Sequence, residues 1–376
     1  MKKVGIITFH ASLNHGSVLQ AQATQYMIQK LGYEAEIIDY RPDTYDIYDK
    51  IYCKRNRGRF REKMYYLIML LNHTERQKRI KKFEAYQEEN IVKSNERIKT
   101  YADLSKIAES YDVFVTGSDQ VWSKAVPEIV LAGEEAVLAY YLGFTQKKKI
   151  AYASSVASMR EEDLSEFEAY LNQYSFLSTR EQVGVERLKK VTGKKVELVV
   201  DPSFLLTSKE WIKFAKPKRI VNESYVLLYS LRNHIAEKNW ERALHIFAQK
   251  HGLKIVVVAP YFEYKMPGTI DMQLAGPSEF LRLYADASVV CTDTFHGTAF
   301  AVNFNKPVYS LGSKYWKDDI RKTSLLKALG LEERLINDEQ DIITVEDYSC
   351  DYDRPNKLLN QMRERSILYL KRALAD

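Results

Sequence analysis

The 376-residue sequence has little cysteine, and what it has is poorly spaced for structural chemistry. Cys53, Cys291 and Cys350 are scattered and odd in number, with no Cys-x-x-Cys pair, so neither a disulfide framework nor a zinc site is supported. The histidines, His10, His15, His73, His234, His245, His251 and His296, show no metal-ligand spacing. No apolar run reaches the roughly 18 residues a membrane span needs, and the densest stretch is Tyr65–Leu71. Met1 to Phe9 reads as a strand and lacks the apolar stretch and cleavage site of a secretory signal, so the expected location is cytoplasmic. The net charge is only +6, and no recognition helix, zinc knuckle or RNA-binding signature is present, so nucleic acid is not an expected partner. The Gly-x-Gly-x-x-Gly pattern and the Walker lysine are missing as well, which removes support for a dinucleotide or ATPase site.

What is present fits a well-packed α/β protein. Apolar residues make up 45% and aromatics 12%, and the length is comfortable for two cores. Short apolar runs at 4–9, 35–39, 112–116, 149–154, 176–179 and 196–200 alternate with helical segments at 17–31, 161–173 and 181–191. A polar, proline-bearing stretch over 207–223 marks a boundary, after which the pattern restarts. Strands are expected at 225–230, 254–259, 288–292 and 307–311, and helices at 235–251, 277–285, from about Gly297, at 319–329 and at 353–374. The expected architecture is two doubly wound Rossmann-like domains facing a cleft, of the GT-B kind. Residues 1–206 form the first, with a basic helical insertion at about 54–95. Residues 207–345 form the second, and 346–376 a C-terminal helix packing back on the first.

Four strand ends carry candidate chemistry. In Val289-Val290-Cys291-Thr292-Asp293-Thr294-Phe295-His296-Gly297-Thr298, a buried strand ends in Asp and a helix begins. Amide hydrogens at a helix start attract anions and Gly allows close approach, so Gly297 and Thr298 are candidates to hold a phosphate. His296 at that edge is placed to move a proton, with Asp293 as its support. Asn14-His15-Gly16-Ser17 follows the first strand as an anion- or sugar-binding turn, with Asn14, His15 and Gly16 as acceptor-binding candidates. In Thr116-Gly117-Ser118-Asp119-Gln120-Val121-Trp122, Ser118, Asp119 and Gln120 can bind hydroxyls, Trp122 can stack on a sugar face, and Asp119 can act as base. Arg180, at the end of the third of these strands, offers a planar fork for carboxylate or phosphate, while Asp201-Pro202 reads as a structural strand stop. The basic run over 54–82 offers a positive surface for anionic headgroups or an acceptor diphosphate. It would put the protein at the inner face of the membrane without spanning it.

Taken together, the segments 14–21, 116–122, 149–155, 178–181, 200–205 and 292–298, in that order, resemble the polysaccharide pyruvyl transferase family. The resemblance implies transfer of the pyruvyl group of phosphoenolpyruvate to a sugar of a cell-surface polysaccharide or its lipid-linked precursor. A cyclic ketal forms and phosphate is released. It also implies a GT-B-like fold, no cofactor and no essential metal. Arg180 would hold the donor anion and His296 would work beside the transferred group. Many members carry Arg two residues before this histidine, where this chain has Thr294; Arg232 or Lys314 is the candidate replacement. Two alternatives stand beside this reading: a nucleotide-sugar glycosyltransferase on the same fold, and a non-catalytic glycan-binding protein.

Overall fold

The computed structural model describes residues 2–42, 63, 67, 70–130, 132–231, 238–259, 265–312 and 319–375. They fall into two compact units. The first comprises Met1–Tyr48, Gln87–Leu206 and Leu359–Asp376; the second comprises Asp49–Tyr86 and Thr207–Leu358. The strands are β1 Lys3–Ile7, β2 Glu34–Ile37, β3 Val113–Thr116, β4 Lys148–Ala151, β5 Leu177–Thr179, β6 Val196–Leu198, β7 Tyr225–Tyr229, β8 Lys254–Val258, β9 Ile270–Asp271, β10 Val289–Thr292, β11 Val308–Leu311 and β12 Leu335–Ile336. The helices used below are α1 His15–Lys30, α2 His73–Asn90, α3 Gln182–Thr192, α4 Lys238–Lys250, α5 Pro277–Asp286, α6 Phe295–Asn303, α7 Ile320–Leu329 and α8 Asp353–Ala375.

In the first unit all strands run parallel, in the order β2-β1-β3-β4. The β5-β6 pair continues beside β4 through a parallel bridge from Ile150 to Phe176. Parallel strands need covered faces, and β3 is buried at every residue. Phe114, Trp122, Tyr140, Tyr141 and Tyr174 dominate the core on this sheet. From Leu359 onward α8 belongs to this unit. Tyr369 donates to Ala151 O at 2.8 Å, and the Val200 amide donates to Ser366 Oγ at 2.9 Å.

The second unit has one parallel sheet ordered β12-β11-β10-β7-β8-β9. Counted from β7, that is the 3-2-1-4-5-6 order of a doubly wound nucleotide-binding sheet read from the other edge. Its core includes Val226, Leu228, Phe247, Val257, Val289 and Tyr309. Both sheets reverse strand order beside their first strand, between β1 and β3 and between β7 and β10. Ligands of such sheets gather outside the carboxyl ends at that reversal.

Some boundaries differ from the sequence pattern. The helix expected at 161–173 is two short pieces, Glu161–Ser165 and Glu168–Leu171. Phe167 leaves helical geometry between them and stacks on Tyr141 at 4.3 Å, so packing overrides propensity. The helix expected from Gly297 starts at Phe295, because the Thr294 hydroxyl caps it. Strands β9 and β12, of two residues each, are too short to leave a periodic signal.

Candidate active site

The reversal point of the first unit lies between the ends of β1 and β3, which are level because Ile7 pairs with Thr116. The chain leaving β1 enters α1, where Asn14 Oδ1 accepts the Gly16 and Ser17 amides at 2.9 and 3.4 Å. From His15 through Gln25 this helix is buried on all sides, so it is a fixed platform. The chain leaving β3 passes Gly117, whose absent Cβ would lie 2.8 Å from Thr8 Cβ; glycine lets the two strand ends close up. Asp119 follows with φ +76°, a left-handed conformation that costs a non-glycine residue about 1–2 kcal/mol. Strain of this kind is kept where the surroundings enforce it, often at functional positions.

Three groups hold the Asp119 carboxylate. Ser17 Oγ donates to Oδ2 at 3.0 Å across the reversal point, the Gln120 amide donates to Oδ1 at 3.0 Å, and Arg180 Nη2 lies 3.5 Å from Oδ1. The Arg180 guanidinium also meets Asp201 at 2.6 Å, Glu181 at 2.9 Å and Ser118 Oγ at 3.1 Å. Only 1% of its side chain is exposed, against 14% for Asp119. Burial opposes the guanidinium's charge, but the carboxylates of Asp201, Glu181 and Asp119 outweigh it and push the pKa above the ordinary arginine value. Arg180 is thus paired with internal carboxylates, and Asp119 is the more exposed carboxylate of the cluster. Chemically, this is a fixed carboxylate suited to accept a proton from a hydroxyl.

Other expected residues here take different roles. Trp122 is fully buried, donates to Tyr140 O at 3.0 Å and stacks on Tyr141 at 5.3 Å, so it is core and its face is not open to a sugar. Ser118 is interior; its hydroxyl lies within donating distance of Ala153 O and Asp201 Oδ2 and accepts from Arg180. His15 is buried and Asn14 caps α1, while Gln120 stays partly exposed and accepts from Ser158. Asp201, which the sequence marked as a strand stop, is a main anchor of Arg180 as well as the cap of the next turn.

The second reversal point repeats the arrangement with other partners. Ser230 Oγ, just past β7, donates to Asp293 Oδ2 at 2.5 Å, and the Leu231 amide donates to Oδ1 at 3.0 Å. These bonds make Asp293 a clasp between two strand ends. His296 occupies the first turn of α6, buried, with its ring edge-on to Phe295 at 5.3 Å. All nine residues of α6 are buried, so the imidazole stands on a rigid element. The Gly297 amide donates to Thr294 Oγ1 at 2.8 Å and the Thr298 amide to Thr294 O at 3.1 Å. The cap and the helix ladder therefore use the two amides expected to hold a phosphate. A Cβ on Gly297 would sit 2.1 Å from Thr292 Oγ1, so glycine is here for packing under the strand end. Arg232 and Lys314 lie outside the described residues.

One cation at this edge was missed. Lys322 on α7 is buried, and its ammonium donates to Leu311 O, the last residue of β11, at 2.6 Å. It shares the buried face of α7 with Leu326 and Leu329, at i, i+4 and i+7. A lysine on an apolar stripe is the signal that would have found it.

With this geometry in hand, the sequence matches the family model described as polysaccharide pyruvyl transferase over residues 14–315. The chain belongs to that family. Both strand-end sites of this pyruvyl transferase relative fall inside the matched span. No curated protein sequence matches the chain. Among solved structures it is similar to the UDP-GlcNAc 2-epimerase of Methanocaldococcus jannaschii in complex with UDP-GlcNAc and UDP, with TM-score 0.53 and 13% identity, covering 96% of this chain and 99% of that one. The UDP-N-acetylglucosamine 2-epimerase of Rickettsia bellii gives TM-score 0.52 and 11% identity over 98% and 96%. These likenesses, with the parallel sheets above, make the fold a Rossmann-like GT-B fold.

Proposed function

We propose that this transferase moves the pyruvyl group of phosphoenolpyruvate onto two hydroxyls of one sugar in a cell-surface polysaccharide or its lipid-linked precursor. The observation that carries the reading is the family match over residues 14–315, inside which both strand-end sites fall. In the balanced reaction the methylene carbon of the enol phosphate gains a proton and becomes the methyl group. Both sugar oxygens bond to the central carbon. The bond from that carbon to the bridging oxygen breaks, and phosphate leaves with the second hydroxyl proton. No metal or cofactor is assigned a part.

His296 supplies the proton that makes the central carbon electrophilic, working from the rigid first turn of α6. Asp119 takes the proton of an attacking sugar hydroxyl, helped by its exposed edge and fixed backbone. Arg180 is a positioning residue that holds Asp119 and Asp201. The ammonium of Lys322 supplies positive charge at the edge where the donor's anionic groups gather, a part that Thr294 cannot play. Asn14 and Gln120, both partly exposed, line the acceptor side.

The test is incubation of purified protein with phosphoenolpyruvate and a panel of lipid-linked or synthetic glycosides. Inorganic phosphate release with a matching gain in glycoside mass is expected. Turnover only with nucleotide sugars, with release of a nucleoside diphosphate, would replace this reading by the glycosyltransferase one. Binding of glycosides without turnover in any combination would leave a glycan-binding protein.

A further inference from the structure

Among the described residues, Lys63, Leu67, Leu70 and Leu71 have helical backbone and recur at i, i+4, i+7 and i+8, the spacing of one helix face. That face points outward. Leu67, Leu70 and Leu71 are 47%, 45% and 75% exposed, whereas the other large exposed apolar side chains among the described residues are scattered singly. Single exposed leucines are ordinary, but three in one stripe are not. Past Asn72 the stripe gives way to cations. On α2, Arg79 turns inward over the Phe83 ring at 5.4 Å and Lys82 pairs with Glu279 at 2.9 Å. Lys78 and Lys81 stay exposed; Lys78 is held only by the surface pair with Glu75 at 2.8 Å.

The surrounding sequence is strongly one-signed. Residues 54–82 contain eleven Lys or Arg against Glu62 and Glu75. That excess of nine is larger than the +6 of the whole chain, so the rest of the protein is net acidic. Along the sequence, the positive charge is concentrated on either side of the exposed leucines.

We infer that this face of the second unit docks on an anionic bilayer, with Leu67, Leu70 and Leu71 entering the boundary between headgroups and acyl chains and Lys63, Lys78 and Lys81 lying among the headgroups. Leucines flanked by ammonium groups match the two layers of such a surface, apolar below and negative above. An acidic protein groove would satisfy the charges but leave the leucines in water, and an apolar groove would leave the ammonium groups without partners. Among the described residues no helix is long and apolar enough to cross a membrane, so this contact is peripheral. The inference does not depend on the reaction proposed above.

The test uses the purified full chain in co-sedimentation with vesicles of phosphatidylcholine alone or mixed with phosphatidylglycerol. Binding is expected only to the mixed vesicles, and it should fall away when salt shortens the screening length to about 3 Å. Each cation near an anionic leaflet is worth on the order of fivefold in partitioning, so Lys63→Glu/Lys78→Glu/Lys81→Glu should weaken binding about a hundredfold or more. Leu67→Ser/Leu70→Ser/Leu71→Ser should weaken it about tenfold or more. Both variants should keep the parent melting temperature, since the changed side chains are exposed. Equal binding to both vesicle types, no binding to either, or unchanged binding by both variants would overturn the inference. Leucine variants that turn a dimer into a monomer while vesicles are ignored would overturn it too, and would assign the face to a second copy of the chain.

Discussion

The two reversal points share a plan and differ in what completes it. In each unit a serine beyond the first strand donates to an aspartate past the neighbouring strand: Ser17, in the first turn of α1, to Asp119, and Ser230, the residue after β7, to Asp293. In the first unit the aspartate is strained, partly exposed and gripped by a buried guanidinium shared with two more carboxylates. In the second the aspartate is buried and closes on a backbone amide, and a buried histidine stands three residues further on. The clasp is thus common to both units, and they differ in the groups that stand beside it. An aspartate at a reversal point is not evidence of catalysis until its backbone, exposure and partners are known.

The sharpest way to break this comparison is to remove the two added groups. His296→Ala and Asp119→Asn should each cut turnover about 10²–10⁴-fold, the usual worth of a placed acid or base, with melting temperatures close to the parent. Retained turnover in Asp119→Asn would reduce the first reversal point to a clasp like the second. Next in size, Arg180→Met leaves buried carboxylates without their partner and should cost about 3–5 kcal/mol in urea unfolding. A loss under about 1 kcal/mol would show that the cluster does not depend on its guanidinium. Gly297→Ala tests the steric side of the second site. Its methyl group meets Thr292 Oγ1, and overpacking of this kind should cost about 1–3 kcal/mol. Thr294→Ala should cost about 1 kcal/mol by uncapping α6, while Thr294→Ser retains most of the parent stability.

A pH titration checks that these properties belong to the strand ends and not to the sheets at large. Lys149 lies inside β4, and burial lowers its pKa from the ordinary 10.5 to about 8. Its charged form is disfavoured in the folded chain, so a stability penalty is present in full below about pH 8. The unfolded chain binds more protons between about pH 8 and 10.5, and stability attributable to this group rises across that window. Melting curves should show the rise in the parent and a flatter profile in Lys149→Met, with activity at pH 7 little changed.

Much of the fold was readable because strands buried on both faces leave continuous apolar runs. The runs at 112–116, 225–230, 254–259 and 288–292 are β3, β7, β8 and β10 within a residue or two. The positions of the candidate site residues were readable for a related reason, since strand ends in parallel sheets are where polar residues interrupt such runs. Side-chain direction was not readable. Trp122 and Ser118 follow Gly117 as polar-capable residues in a loop, yet both face the core because Tyr141 and Asp201 wait there. The burial of Arg180 depends on Asp201, 21 residues away in sequence, and no local pattern reports that pairing. The uses of the Gly297 and Thr298 amides turn on the rotamer of Thr294, which spacing does not encode.

The placement of α8 bears on how the protein comes to be made. The first unit draws its final pieces from residues 359–376, translated after the whole of the second. Tyr369 and Ser366 fill donor and acceptor positions at β4 and beside Val200 that wait empty while some 150 residues are still being synthesised. A nascent chain arrested before residue 359 should therefore present a second unit that withstands protease and a first unit that is digested, the reverse of the order in which the ribosome released them.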